Sequence, residues 1–256
     1  MPMTETAQRN HDDLFGVGVS TRAVTDPEFI VYFDNFAFDD VMSHGSLDPR
    51  LTLLTRLAAL IACQSPTEYR VMVGAALNHG ISPVEAKEVV YQAVPYLGVA
   101  RVLDYLTITN EVLVARGVEL PLPGQSTTMP ESRFENGLVA QSTIIGAELV
   151  QSLHTNGPAD EKHIQNWLTA NCFGDNYTRG GLDLATRELL TFVLLVGQGG
   201  CDPQVRSHVT GNLNVGNGRG ILIDVLSQLL PYIGYPRTLN GLRAVDDVVP
   251  ADEGGG

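Results

Sequence analysis

The residues best suited to chemistry lie late in the chain. His208 and Gln204 are four positions apart on a predicted helix and so share a face. An imidazole titrates near neutral pH and can both give and take a proton. Cys201 stands just ahead of Asp202-Pro203, a helix-start signal, and a helix N-terminus favours a thiolate. Arg179 lies in the Gly-rich turn Thr178-Arg179-Gly180-Gly181, with Arg187 close behind, and guanidinium forks bind carboxylates through two parallel hydrogen bonds. The three cysteines, Cys63, Cys172 and Cys201, form no CxxC pair, and an odd number is no disulfide framework. The six histidines do not fall at metal-ligand spacings, so no metal site is expected. Gly216-x-Gly218-x-Gly220 has the look of a phosphate loop but follows no predicted strand, and phosphate binding is not expected.

These residues sit in a chain of 256, with a charge sum of 16 − 29 = −13 and hydrophobic residues at 44%. That is the make-up of a globular protein, not of a disordered chain. The acidic balance repels phosphate backbones and anionic lipid, so neither nucleic acid nor a membrane is an expected partner. The longest apolar run, Leu189 to Val196, is about half of a membrane span. The first residues are polar with no secretory h-region, the cysteine usage fits a reducing compartment, and the cytoplasm is the expected location. The closing Ala251 to Gly256 is expected to be a loose tail.

The elements that must position the candidates come in two copies. Gln92-Ala-Val-Pro-Tyr-Leu-Gly-Val-Ala-Arg101 matches Gln228-Leu-Leu-Pro-Tyr-Ile-Gly-Tyr-Pro-Arg237 at an offset of 231 − 95 = 136. Held without gaps from Leu51 to Val112, that offset gives 17 identities in 62 positions, where average residue usage gives about four. A one-residue slip extends the match upstream, where Phe38-Asp39-Asp40 faces Phe173-Gly174-Asp175. Leu51 to Cys63 and Arg187 to Val196 are apolar nearly all round, as buried helices are. Ser65-Pro66-Thr67-Glu68 reads as a capping box with Pro at the first helical position, and Ser82-Pro83-Val84-Glu85 as the cap of another helix. Pro95 and Pro231 are expected to kink or split their helices, and Glu131 to His154 is expected to be one helix. No period-two alternation is sustained, so strands are not expected. The predicted fold is all-α. It has a first repeat over 26–116, a Pro- and Gly-rich linker over 117–130 and a second repeat over 131–249, packed as a pseudo-dimer.

The second copy, from Arg133-Phe-Glu-Asn-Gly137 through Asn171-Cys-Phe-Gly-Asp-Asn-Tyr-Thr-Arg-Gly-Gly-Leu-Asp183, Thr186-Arg-Glu-Leu-Leu-Thr191, Val205-Arg-Ser-His208 and Tyr232-Ile-Gly-Tyr-Pro-Arg-Thr-Leu-Asn240, resembles the carboxymuconolactone decarboxylase family. The first copy resembles it more weakly, through Ala75-Ala-Leu-Asn-His-Gly80 and the Pro95-Tyr96 segment. The resemblance implies a compact helical fold that assembles into rings, here a homo-oligomer of tandem chains, a trimer or a dimer. It also implies one of two chemistries. One is decarboxylation of 4-carboxymuconolactone, or a related small anionic lactone or organic acid, in aromatic degradation, without a cofactor. The other is thiol redox work by a CxxC pair with a nearby His and an upstream Glu. Laid on this chain, the redox pattern falls on Glu188, Cys201, Gln204 and His208, and on Thr52, Ser65, Glu68 and Met72 in the first copy. Gln204 cannot act as a resolving thiol, which argues against the usual peroxidase route. A peroxidase or disulfide reductase using Cys201 alone, and a specialised member acting on another lactone or a quinone-like compound, remain as alternatives.

Residues shared by both copies, such as Arg70/Arg206, Gln92/Gln228 and Arg101/Arg237, are expected to serve mainly the fold, as buried ion pairs or helix-end contacts. Residues found only in the second copy are the better candidates for function. His208, Glu188 and Cys201 are the expected catalytic set, with His208 as the acid and Glu188 orienting it. Arg179, Tyr177, Gln204 and Arg206 are the expected substrate contacts. Each has a plainer reading: His208 as a core histidine, Glu188 as a salt-bridge partner of Arg187, Arg206 or Arg237, Cys201 as a small apolar filler, and Arg179 as a surface arginine.

Overall fold

The computed structural model describes residues 2–17 and 20–251; the tail expected at the C-terminus lies, beyond Ala251, outside them. The described residues form helices and connecting loops, with no strand among them. None of the helices is long and apolar enough to cross a membrane.

The chain runs through α1 (Glu5–Phe15), α2 (Pro27–Asn35), α3 (Pro49–Ala62), α4 (Pro66–Asn78), α5 (Pro83–Leu97) and α6 (Val99–Ala115). After the 117–130 linker come α7 (Arg133–Ile145), α8 (Ala147–Asn156), α9 (Lys162–Trp167), α10 (Leu184–Gln198), α11 (Asp202–Asn214), α12 (Arg219–Ile233) and α13 (Tyr235–Val248). The second half repeats the first: α10 to α13 stand where α3 to α6 stand 136 residues earlier. Ahead of each central helix the chain is wound as a π-helix, Phe36–Val41 in the first half and Leu168–Tyr177 in the second.

The two apolar runs form the middle of the molecule, as their composition requires. Asp48 and Asp183 cap α3 and α10 by accepting from the backbone N–H groups of Arg50 and Leu51, and of Thr186. Leu54, Leu57 and Ile61 of α3 and Leu190, Phe192 and Leu194 of α10 belong to one continuous core that spans both halves. The halves are therefore a pseudo-dimer with a shared interior. Helices α5 and α12 cross over: α5 packs on α10 of the second half, and α12 packs on α3 of the first. This exchange decides which residues meet at the site.

Several local expectations need correction. Ser82 and Glu85 form the capping box, but Ser65 makes no side-chain cap. Pro95 and Pro231 break nothing, because each lies in the last turn of its helix; the chain divides three residues later, at Gly98 and Gly234, both at φ 78°. Glu131 to His154 is two helices, interrupted at Gly146 with φ 93°. The polar N-terminus forms α1, which buries Ala7 and Leu14; Thr4 N–H donates to Asn35 Oδ1 at 2.8 Å and Asn10 Nδ2 to the Phe38 carbonyl at 2.6 Å.

Candidate active site

The site begins with one buried carboxylate. Glu188 lies in the second turn of α10 and is fully buried. Such a group must be hydrogen-bonded to be tolerated. Its Oε1 lies 2.6 Å from His208 Nδ1 on α11, and its Oε2 accepts from the Tyr177 hydroxyl at 2.7 Å. The close approach of the two helices depends on Gly211. A Cβ there would stand 2.3 Å from Glu188 Oε1. Asn212, one turn beyond His208, donates to the carbonyls of His208 at 2.7 Å and Glu188 at 3.2 Å, tying the two helices together.

Tyr177 closes the π-helical segment, and its oxygen is shared. It lies 2.7 Å from Thr191 Oγ1 and 2.9 Å from the Tyr96 hydroxyl. Since Tyr177 spends its proton on Glu188, Thr191 and Tyr96 are the donors to its oxygen. Burial, and then the nearby Glu188 carboxylate, push the Tyr177 phenol well above its ordinary range. Tyr96 is pushed up too, by burial and then by Cys172 and Glu188. Both phenols therefore stay protonated and serve as donors. The Tyr96 ring meets the His208 ring edge-on at 5.5 Å. With Nδ1–H directed at Glu188, the imidazole keeps Nε2 free of any protein partner among the described residues.

Tyr96 belongs to the first half. It arrives on α5 with two further residues. Gln92 Nε2 donates to Thr191 Oγ1 at 3.1 Å and its Oε1 accepts from Arg187 Nη1 at 3.1 Å. Glu88, 1% exposed, accepts from Arg187 Nη2 at 2.8 Å and takes the fork of Arg179, with Nε at 3.0 Å and Nη2 at 2.8 Å. The turn that carries Arg179 comes this close because Gly181 has φ +84° and no side chain; a Cβ would meet Glu88 Cγ at 2.9 Å. Arg179 also lies over the Tyr91 ring, 4.9 Å from its centroid. One hydrogen-bonded chain thus runs from Arg179 and Arg187 through Gln92, Thr191, Tyr177 and Glu188 to His208.

Of the expected residues, the structure brings together His208, Glu188 and Tyr177. Arg179 joins through the chain, with its fork already on Glu88 rather than open. Arg206 does not belong. It lies on another face of α11, in a half-exposed ion pair with Asp247 at 2.7 Å, and its copy Arg70 pairs with Glu111 in the same way, so these pairs are structural but not buried. Gln204 is exposed and bonds to neither His208 nor Glu188. Cys201 is the N-cap residue of α11, about two helical turns from His208. Its Sγ donates to the Leu195 carbonyl at 3.3 Å, and burial pushes the thiol up, against the thiolate expected from its place before a helix. Among the described residues no three His, Cys, Asp or Glu side chains converge as a metal site would need.

Tyr96, Gln92, Glu88 and Thr191 were missed. The repeat gave the only signal for them. Gln92 and Tyr96 recur as Gln228 and Tyr232, and recurrence points to the fold unless the helices cross over.

Comparison with known proteins agrees with this architecture. The profile of the carboxymuconolactone decarboxylase family matches twice, over residues 27–111 and 162–247. A 4-carboxymuconolactone decarboxylase of Acinetobacter baylyi is 25% identical over 118 residues, which are 46% of this chain and 87% of that protein. A nitrosuccinic acid decarboxylase of Metarhizium robertsii is 24% identical over 124 residues, 47% of this chain and 86% of that one. The fold is also similar to a crystal structure from Burkholderia xenovorans assigned as a gamma-carboxymuconolactone decarboxylase subunit, with TM-score 0.53, 18% identity and coverage of 95% of this chain and 96% of the other. With both halves matched, and the helices of each repeated in space, the chain belongs to the carboxymuconolactone decarboxylase family as a tandem of two units.

Proposed function

We propose that this protein is a decarboxylase, needing no cofactor, of a carboxylated lactone such as 4-carboxymuconolactone, with His208 as general acid. The observation that carries the reading is the buried Tyr177–Glu188–His208 set, with Nδ1 of the imidazole on the carboxylate and Nε2 left for substrate. In such a lactone the departing carboxylate sits on a carbon joined to the ring carbonyl through a C=C bond. Loss of CO2 moves the electron pair into that carbonyl as a dienolate, and a proton must then return to carbon. The substrate is its own electron sink. Nitrosuccinic acid, named for one relative, likewise carries its own acceptor, a nitro group.

In this reading Glu188 holds the imidazolium through Nδ1–H, and Nε2–H delivers the proton. Tyr177, Tyr96 and Thr191 fix the carboxylate so that it cannot turn away. Arg179, held by Glu88 and Tyr91 and with Nη1 without a partner among the described residues, is the proposed contact for the carboxylate of the substrate. Self-association into a ring fits Tyr32 and Trp167, which stand at matching places in the two halves and are 70% and 63% exposed.

The test is turnover of authentic 4-carboxymuconolactone by the purified chain. His208→Ala and the closer His208→Gln should each lower kcat by about a hundredfold or more. Wild-type turnover in either variant overturns the assignment of the proton to His208.

A further inference from the structure

The place in the first half that corresponds to His208 is a cavity. Subtracting the offset of 136 puts Met72 where His208 stands, Thr52 where Glu188 stands, and Tyr232 stands for Tyr96. The imidazole and carboxylate are both gone. Around Met72 and Tyr232 opens a cavity of about 630 Å³, within the range of small-molecule sites.

Its walls have a definite chemistry. Four of the eight phenylalanines of the chain, Phe15, Phe29, Phe33 and Phe38, line it. Phe33 meets Tyr232 edge-on at 6.2 Å and Phe38 at 6.1 Å, and Phe15 meets Phe38 at 5.8 Å. At the mouth Phe29 is 55% exposed and Val71 50%, so the aromatic lining reaches the surface.

Two polar groups in the wall lack partners among the described residues. The Tyr232 hydroxyl is buried with no hydrogen bond, whereas its copy Tyr96 bonds to Tyr177. Asp34 is 5% exposed and makes no side-chain hydrogen bond or ion pair among the described residues; burial pushes its carboxyl up, against the opposing pull of His11 in the same wall. Buried groups of this kind are normally satisfied. Glu68, also in the wall, is paired with Arg22 at the mouth. Arg56, which lies 5.7 Å from the centroid of the Tyr232 ring and donates to Gln228, is not among the lining residues. Two basic side chains also line it, and both already face acids: Arg22 pairs with Glu68, and His11 lies 3.5 Å from Asp12 and bears on Asp34, so the cavity offers a carboxyl and a phenol rather than an open cation.

We propose that the first half carries its own binding site, for an uncharged hydroxylated aromatic molecule. Its ring packs among Phe33, Phe38 and Met72, and its hydroxyl donates to Asp34 and meets the Tyr232 hydroxyl. Aromatic edges and faces suit a flat ring. The Asp34 carboxyl accepts a hydrogen bond from a hydroxyl, and a second carboxylate beside Asp34 and the Tyr232 hydroxyl would sit in an aromatic wall next to an acid, so this site selects against the acids proposed for the second half. It does not rest on that reading.

The probe is 2-naphthol, titrated calorimetrically into the full chain, with 2-naphthoate as its charged counterpart. One 2-naphthol per chain is expected, with 2-naphthoate about tenfold weaker or worse. Met72→Trp fills the cavity and should weaken 2-naphthol about tenfold or more while leaving lactone turnover unchanged. Tyr232→Phe, a smaller change should the tryptophan variant fail to fold, should weaken it about fivefold. His208→Ala should leave 2-naphthol binding as it is. Absence of 2-naphthol binding overturns the proposal, and so does binding that both cavity variants leave intact or that His208→Ala abolishes. If Val71→Asp breaks up a self-associated form and neither form takes up 2-naphthol, the mouth is a contact between copies and the proposal fails.

Discussion

The two halves of the chain use the same crossing helix for different ends. In the second half α5 brings Glu88, Gln92 and Tyr96 to Arg187, Thr191 and Tyr177. In the first, α12 brings the corresponding Asp224, Gln228 and Tyr232; Asp224 and Gln228 bond mainly to backbone, Gln228 also accepting from Arg56 Nη2 at 3.1 Å, and the Tyr232 hydroxyl has no partner among the described residues. Asp224 accepts from Ser46 N–H at 3.0 Å, and Gln228 donates to the carbonyls of Val41 and His44. The same scaffold thus supports a dense buried polar network on one side and an open aromatic cavity on the other. The difference follows from few residues. Where Glu188 and His208 are replaced by Thr52 and Met72, the carboxylate that holds the network together is missing, and the tyrosine delivered across the interface is left without a partner.

The comparison is broken most severely at Glu88. Glu88→Gln leaves Arg179 and Arg187 without their anion, and Arg187 is fully buried. Removing one partner of a buried pair costs about 3–5 kcal/mol, because the remaining charge stays in a poor solvent. For a chain of this size that corresponds to a fall in Tm of about 10 °C. Asp224→Asn, the same change in the other half, replaces a charged acceptor for the Ser46 N–H and hydroxyl with a neutral one and should cost about 1 kcal/mol or less. Thermal unfolding of the two variants checks this. Equal losses would show that the network of the second half has no special weight.

A smaller effect is expected at Gly211, and it sharpens the comparison. Its counterpart is Ala75, since 211 − 136 = 75. The first half accepts a methyl group there because Thr52 is short. The second half does not, because Glu188 Oε1 would lie 2.3 Å from the new Cβ. Backbone and carboxylate would have to part, breaking the 2.6 Å contact with His208. Overpacking of this kind costs about 1–3 kcal/mol. Gly211→Ala should therefore lower stability by that amount and turnover with it, read together by chemical denaturation and lactone consumption. Full stability and full activity would mean that Glu188 need not lie against α11.

What could be read from the residues alone follows the same division. The apolar runs, the cap at Ser82, the Asp202-Pro203 start of α11 and the repeat are local or periodic signals, and they locate the helices. Glu188 and His208 could be paired because motif order put both in the second half, on helices adjacent in sequence. Tyr96 and Gln92 could not be placed. An internal alignment states which residues are equivalent, but not which half they face, and here they face the other half. The π-helical segment that delivers Tyr177 shows no periodicity of its own, since ten residues of wider winding do not change an apolar pattern enough to be seen. Arg179 was read as free because its anion, Glu88, lies 91 residues away in the other repeat.

The smallest effect belongs to the pairs that the halves do share. Arg206–Asp247 and Arg70–Glu111 occupy equivalent places, each half exposed, and neither touches the network or the cavity. Exposed pairs of this kind contribute about 0–1 kcal/mol, since water screens the attraction and ordering two long side chains offsets it. Arg206→Ala and Arg70→Ala should each shift stability by less than about 1 kcal/mol, and by the same amount, with turnover unchanged. A selective loss of turnover in Arg206→Ala would place that guanidinium at the substrate after all. It would also require α11 to present two faces to one ligand, because Arg206 and His208 are two positions apart on a helix and point in nearly opposite directions.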